Sequence, residues 1–212
     1  MPSILAVSGS PSPASRTVAA LDHALARLTA HGHTTTHLAV RDLPAADLLA
    51  GARTAPAVRE AIAAVAHADG VIVATPIYKA SYTGLLKAFL DLLPENALAG
   101  KVVLPVATGG TVGHLLAIDY ALRPVLTALG ADHVVPGRFL LDADIIRGES
   151  GDAYLVPEAE RRLTKTLDRF TEALTRRDVD VDVDIDVEID ADVDIETAAL
   201  ALANGVAVAV AR

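Results

Sequence analysis

Cysteine and tryptophan are both absent from this 212-residue chain, and its aromatic residues amount to only 3%. Without cysteine there are no disulfides, no thiolate nucleophile and no cysteine-ligated metal. No apolar run reaches the length that spans a bilayer. Met1-Pro2-Ser3 leads straight into a strand-like segment, without the basic region and long apolar stretch of a secretory leader, so a cytoplasmic protein is expected. Balanced charge is also missing from one stretch. Residues 178–196 hold ten acids and no Lys or Arg, which leaves 17 acids against 18 bases elsewhere, a net of +1 beside the −9 of the whole. The remainder offers neither a basic surface for nucleic acid nor a broad acidic field.

What is present is a chain 52% hydrophobic, long enough for one sizeable core. Ile4-Leu5-Ala6-Val7 and Gly70–Thr75 are short continuous apolar runs, the pattern of strands covered on both faces. Thr34–Val40 is polar in its first half and reads as a strand near an edge. Lys101–Thr108 and His133–Leu141 supply a fourth and a fifth strand. Helical spacing follows each: Val18 to Leu28 stopped by Gly32, Ala57–Ala68, Leu85 to Leu93 ended by Pro94, His114–Leu129, and Pro157–Arg176. Such alternation predicts a flavodoxin-like, doubly wound α/β fold with a five-stranded parallel sheet and helices on both faces. Pro105 is out of place in the fourth strand, because it lacks the N–H a central ladder needs.

Residues 1–177 thus form one domain. In 178–196 acids alternate with Val, Ile or Ala, and like charges at period two repel, so a disordered acidic tail is expected. Residues 197–212 return to an apolar, alanine-rich composition as a short terminal segment.

In a doubly wound sheet ligands lie beyond the carboxyl ends of the strands, and three loops belong there: Ser8–Thr17, Thr75–Thr83 and Thr108–Gly113. The first closes a strand and opens a helix with Gly9, Ser10, Ser15, Arg16 and Thr17. Its hydroxyls, its guanidinium and the unpaired N–H groups of a helix start form an anion cradle in composition. It has neither the three glycines of a dinucleotide turn nor the Gly-Lys-Ser/Thr of a P-loop. Ser15 also reads simply as a helix cap. The second loop, Pro76-Ile77-Tyr78-Lys79, suits either one wall for a flat ring or an ordinary turn with Tyr78 on the surface. The third, Thr108-Gly109-Gly110, permits close backbone approach or is merely a flexible turn.

Gly9-Ser10-Pro11 with Ser15-Arg16, Ala74–Lys79, Leu90–Glu95 and the long block Gly100–Thr111 together resemble the NAD(P)H-dependent FMN reductase family. The likeness runs from about residue 3 to 176 and includes the proline at 105; the acidic tail lies outside it. The resemblance implies that Ser10, Ser15, Arg16 and Thr17 hold the FMN phosphate. Pro76, Ile77, Tyr78 and Lys79 would border the isoalloxazine, and Thr108, Gly109 and Gly110 its other edge. It implies NADPH or NADH as donor and FMN as a loosely held flavin, with hydride moving between stacked rings and no side chain as general acid or base. It also implies an FMNH2-dependent (alkanesulfonate) monooxygenase as partner and a homodimer or homotetramer. His114 is read as structural or as a ligand or subunit contact.

Pro124 removes the N–H that the Tyr120 carbonyl would meet, which predicts a kink or a π-bulge. In the resembling reductases this place carries an inserted tyrosine on a subunit interface, which implies that role for Tyr120. Two other readings use the same fold: an enzyme that keeps its FMN and reduces quinones, azo dyes or metal oxyanions, and an electron carrier without nicotinamide chemistry.

Overall fold

A computed structural model describes residues 1–148 and 153–183, the last six by backbone alone. In chain order the elements are β1 (Ser3–Ser8), α1 (Arg16–Ala30), β2 (Thr34–Ala39), α2 (Ala45–Leu49), α3 (Pro56–His67), β3 (Gly70–Tyr78), β4 (Ser81–Tyr82), α4 (Gly84–Leu90) and β5 (Val102–Gly109). They continue with α5 (Arg123–Ala128), β6 (His133–Val134), β7 (Arg138–Leu141), β8 (Ile145–Arg147), β9 (Ala153–Leu155) and α6 (Pro157–Val183). Met1–Arg176 form one compact unit. α6 continues to Val183, seven residues past the Arg176 limit read from the sequence, since adding a residue to an existing helix costs far less than starting one. Residues 184–212, which hold the rest of the acidic stretch and all of 197–212, lie outside the described residues. Among those described, no helix is long and apolar enough to cross a membrane.

The parallel sheet runs β2-β1-β3-β5-β6, with β7 following β6 along the same side of β5. This is the flavodoxin-like order, with β2 on the edge as its polar start predicts. Period-two alternation sorts side chains to the two faces. Ile4, Ala6, Ile72, Ala74, Leu104 and Val106 meet α1 and α6 through Leu21, Leu28, Leu163, Leu167 and Phe170. Leu5, Val7, Val71, Val73 and Val103 meet α3, α4 and α5 through Val58, Val65, Leu86, Phe89 and Leu126. Each fully buried large side chain contributes roughly 1.5–3 kcal/mol. The two layers fix where every strand ends, and so where the three loops stand.

The fifth strand is not continuous. β5 pairs with β6 at Val102 and Val103 and with β7 from Val106 to Gly109, so that side of the ladder skips Leu104 and Pro105. Pro105 is thereby accommodated at an interruption made by Val135-Pro136-Gly137 in the neighbouring strand. A Cβ on Gly137 would stand 2.7 Å from Ile118 Cγ2 and 3.0 Å from the Pro105 carbonyl oxygen.

The helix expected over His114–Leu129 is also divided. A 3-10 turn covers Val112–His114, a π-helical turn Ile118–Leu122, and only then does α5 begin. The Arg123 N–H reaches back five residues to the Ile118 carbonyl, directly before Pro124. The Arg123 guanidinium then bonds the Asp119 carboxylate at 3.1 Å and the Val134 carbonyl at 3.0 Å, anchoring the wide turn to the broken strand.

Gly137→Ala will overpack this junction and destabilise the fold by about 1–3 kcal/mol, read as a lower urea midpoint.

Candidate functional site

The loop after β1 is held by its neighbours rather than by itself. The Gly9 N–H donates to the Ala74 carbonyl (2.8 Å), and the Gly9 carbonyl accepts from Thr83 Oγ1 (2.6 Å). The same Thr83 hydroxyl caps α4 by accepting from the Leu86 N–H at 3.1 Å, while the Thr83 N–H donates to Thr75 Oγ1 at 3.2 Å. Only glycine fits at position 9, since a Cβ there would lie 2.5 Å from Leu86 Cβ. On the far side, Thr17 Oγ1 and Thr108 Oγ1 stand 2.6 Å apart, both buried. These bonds draw all three strand-end loops to one place.

Between them lies a cleft of about 160 Å³, lined by Ser10, Ser12, Ala14, Ser15, Arg16, Thr17, Pro76, Tyr78, Thr108 and Asp142. Ser15 Oγ caps α1 by accepting from the Val18 N–H (3.1 Å), so the capping reading holds, and its own O–H hydrogen is still available to a ligand. In the Thr17–Thr108 pair one hydroxyl donates to the other, and the second hydrogen has no acceptor among the described residues. The start of α1 carries no acidic residue in its first turn, so its N–H groups act on the cleft unopposed from within the helix. Among the described residues of the lining, Arg16 and Asp142 are the charged ones, one of each sign.

Seven of the residues named from the sequence therefore share this cleft: Ser10, Ser15, Arg16, Thr17, Pro76, Tyr78 and Thr108. Four do not line it. Ile77 alternates to the opposite face of β3 and packs with Ala107, Ala117 and Ile118. Lys79 sits with Ala80 in the β3–β4 turn, both at positive φ (53° and 63°), the backbone of a tight hairpin. Gly109 is pressed against Phe139, where a Cβ would come within 3.0 Å of the ring. Gly110 stands at the rim, its would-be Cβ 3.7 Å from Asp142 Oδ2. Ser12 and Asp142 were not anticipated. Asp142 follows the carboxyl end of β7, a position that the topological rule itself marks. His114 is half-buried, its Nδ1 without a partner among the described residues and 3.6 Å from the point where a Gly109 Cβ would be. Tyr120 is 79% exposed on the π turn, as are Val112 (69%), Leu115 (52%) and Leu116 (57%) beside it.

One histidine stands behind the cradle. His37 Nε2 lies 2.9 Å from the buried Ser8 hydroxyl at the end of β1. Burial holds its pKa below the ordinary 6.5; Asp22 opposes that, the Arg41 guanidinium adds to it and Asp42 opposes again.

A parallel α/β sheet with an anion-suited cleft at its strand ends defines a flavodoxin-like protein. Comparison narrows the class. The family model of NADPH-dependent FMN reductase matches residues 2–144. The FMN reductase (NADPH) of Pseudomonas putida is 46% identical over 175 residues, 82% of this chain and 89% of the relative. That of Escherichia coli K12 is 44% identical, covering 83% and 92%. A crystal structure titled NADH:FMN oxidoreductase (EMOB), apo form, superposes with a TM-score of 0.74 at 45% identity, over 82% of this chain and 90% of that one. The chain belongs to the NADPH-dependent FMN reductase family and is an oxidoreductase acting between a nicotinamide and FMN.

Between its lowered pKa and 6.5 the folded protein binds fewer protons at His37 than the unfolded chain does. Its contribution to stability is thus complete above pH 6.5 and is lost as pH falls from there through the folded value. Replacing His37 with Asn will flatten the fall of the urea midpoint below pH 6.5, measured against wild type down to about pH 5.

Proposed function

We propose that the protein reduces FMN as an exchanging substrate and releases FMNH2 to a flavin-dependent monooxygenase, on the resemblance one that acts on alkanesulfonates, in the cytoplasm where NAD(P)H is held. The observation that carries this reading is the character of the cleft among the described residues: hydroxyl-lined, balanced in charge, and with Tyr78 as its one aromatic side chain. Ser10, Ser15 and the one free hydroxyl hydrogen of the Thr17–Thr108 pair offer neutral O–H donors, and α1 adds backbone N–H groups, to a phosphate whose remaining charge meets Arg16. A grip built from dipoles and a single cation is moderate, which suits a ligand that leaves after each turnover. Pro76 and the half-exposed Tyr78 border the outer end, where a planar ring would lie within reach of a second ring from solvent.

The flavin supplies the hydride-accepting chemistry; the chain supplies position and donors, and no side chain is needed as general acid or base. Relatives of nearly equal identity are named for NADPH and for NADH, so both donors are included. Purified protein will oxidise NADPH or NADH only when free FMN is added, with rate saturating in FMN. Quinone turnover by a yellow protein that ignores added FMN would replace this reading with that of a flavin-retaining reductase.

We also assign the Val112–Tyr120 surface to contact with another copy of the chain. Exposed Val112, Leu115, Leu116 and Tyr120 form an apolar strip beside the third site loop, and Tyr120 sits on the π turn. Tyr120→Ala will weaken self-association by about tenfold or more, the cost of losing a tyrosine anchor, as sedimentation velocity would show. Unchanged assembly would remove the assignment.

A further inference from the structure

The tip of the first loop, Pro11–Ala14, is the least supported part of the cleft. Pro11 and Pro13 have no N–H to give. Among the described residues this tip takes part in two hydrogen bonds, both at Ser12. One is internal: the Ser12 N–H approaches Ser10 Oγ at 3.4 Å. The other comes from outside the loop, where Arg41 Nη1 donates to the Ser12 carbonyl. Arg41 lies in the turn that follows edge strand β2, and its side chain is 27% exposed. Its Nε stands 3.4 Å from Asp42 Oδ1, whose side chain is 72% exposed and so fixes the guanidinium only weakly.

We propose that Arg41 is a positioning residue for phosphate recognition: by holding the Ser12 carbonyl it keeps that oxygen from the anion and sets the seryl tip in its binding shape. This rests on the reading of the loop as the FMN phosphate site. The physical argument has two parts. A carbonyl oxygen in an anion cradle repels the ligand, so a cradle works when its carbonyls are engaged elsewhere and its N–H and O–H groups point inward. A loop tip without ladder bonds must also be ordered on binding, at a cost that an external tether removes beforehand. His37, bonded to Ser8 from β2 itself, braces the root of the same loop. The edge of the sheet thus grips the loop at both its base and its tip.

Riboflavin, which lacks the phosphate, separates this role from general damage. KM and kcat are to be measured for FMN and riboflavin with wild type, Arg41→Met and Arg41→Lys, all as full-length chains. Arg41→Met is expected to raise KM for FMN about tenfold, while KM for riboflavin and kcat at saturating FMN stay within about twofold. Arg41→Lys, which keeps a charged donor on a long stem, is expected to recover part of the preference. If Arg41→Met retains the wild-type ratio of FMN to riboflavin, the inference fails alone. If wild type itself does not prefer FMN, the reading of the loop as a phosphate site fails and takes the inference with it. Should Arg41→Met prove too unstable to purify, Arg41→Gln is measured in the same way, and a preserved ratio there is equally decisive.

Discussion

A single hydroxyl, that of Thr83, joins the parts from which the cleft is made. It donates to the Gly9 carbonyl while accepting from the Leu86 N–H, so the turn after β1 and the first turn of α4 share one buried group. The contact is so close that position 9 admits no Cβ. The Thr17–Thr108 pair performs the matching task on the other side, tying α1 to the end of β5. Neither bond is strong alone, at about 0.5–1.5 kcal/mol net. Their importance is geometric, because three loops from distant parts of the chain take their mutual position from them.

The cleft so formed offers a ligand dipoles more than charge. Its cation is balanced by a carboxylate, and its other donors are hydroxyls and the N–H groups at a helix start. As the proposed phosphate site it differs from one built on a lysine and arginine cluster, and this accords with the family's chemistry, in which positioning of two rings is the principal demand on the protein.

The layered fold was legible because the continuous apolar runs Ile4–Val7 and Gly70–Thr75, each followed by a helical pattern, leave a parallel sheet covered on both faces as the arrangement that buries them. Punctuation inside elements was harder. His133–Leu141 reads as one strand because its apolar residues continue across Val135-Pro136-Gly137, and only the tertiary fit of Gly137 against Pro105 shows why it divides. The stretch from His114 reads as a helix throughout, yet a 3-10 turn ends at His114 and a π turn takes Ile118–Leu122 before the α-helix begins; Pro124 marked the place but not the extent. In the site, the hydroxyl loop was apparent from composition. Motif blocks cannot say which way a side chain points, so Ile77 was grouped with Tyr78 although strand alternation sends them to opposite faces. Asp142 escaped notice because it belongs to no motif and reaches the cleft only through the position of β7.

The divided fifth strand also bears on how the molecule meets its neighbours. An edge made of a two-residue and a four-residue piece, with a proline between them, presents no unbroken row of N–H and C=O groups for a foreign strand to zip onto. On that flank the sheet cannot be extended by copying itself, which leaves helical and loop surfaces to mediate contact there and guards a very apolar core against fibrous growth.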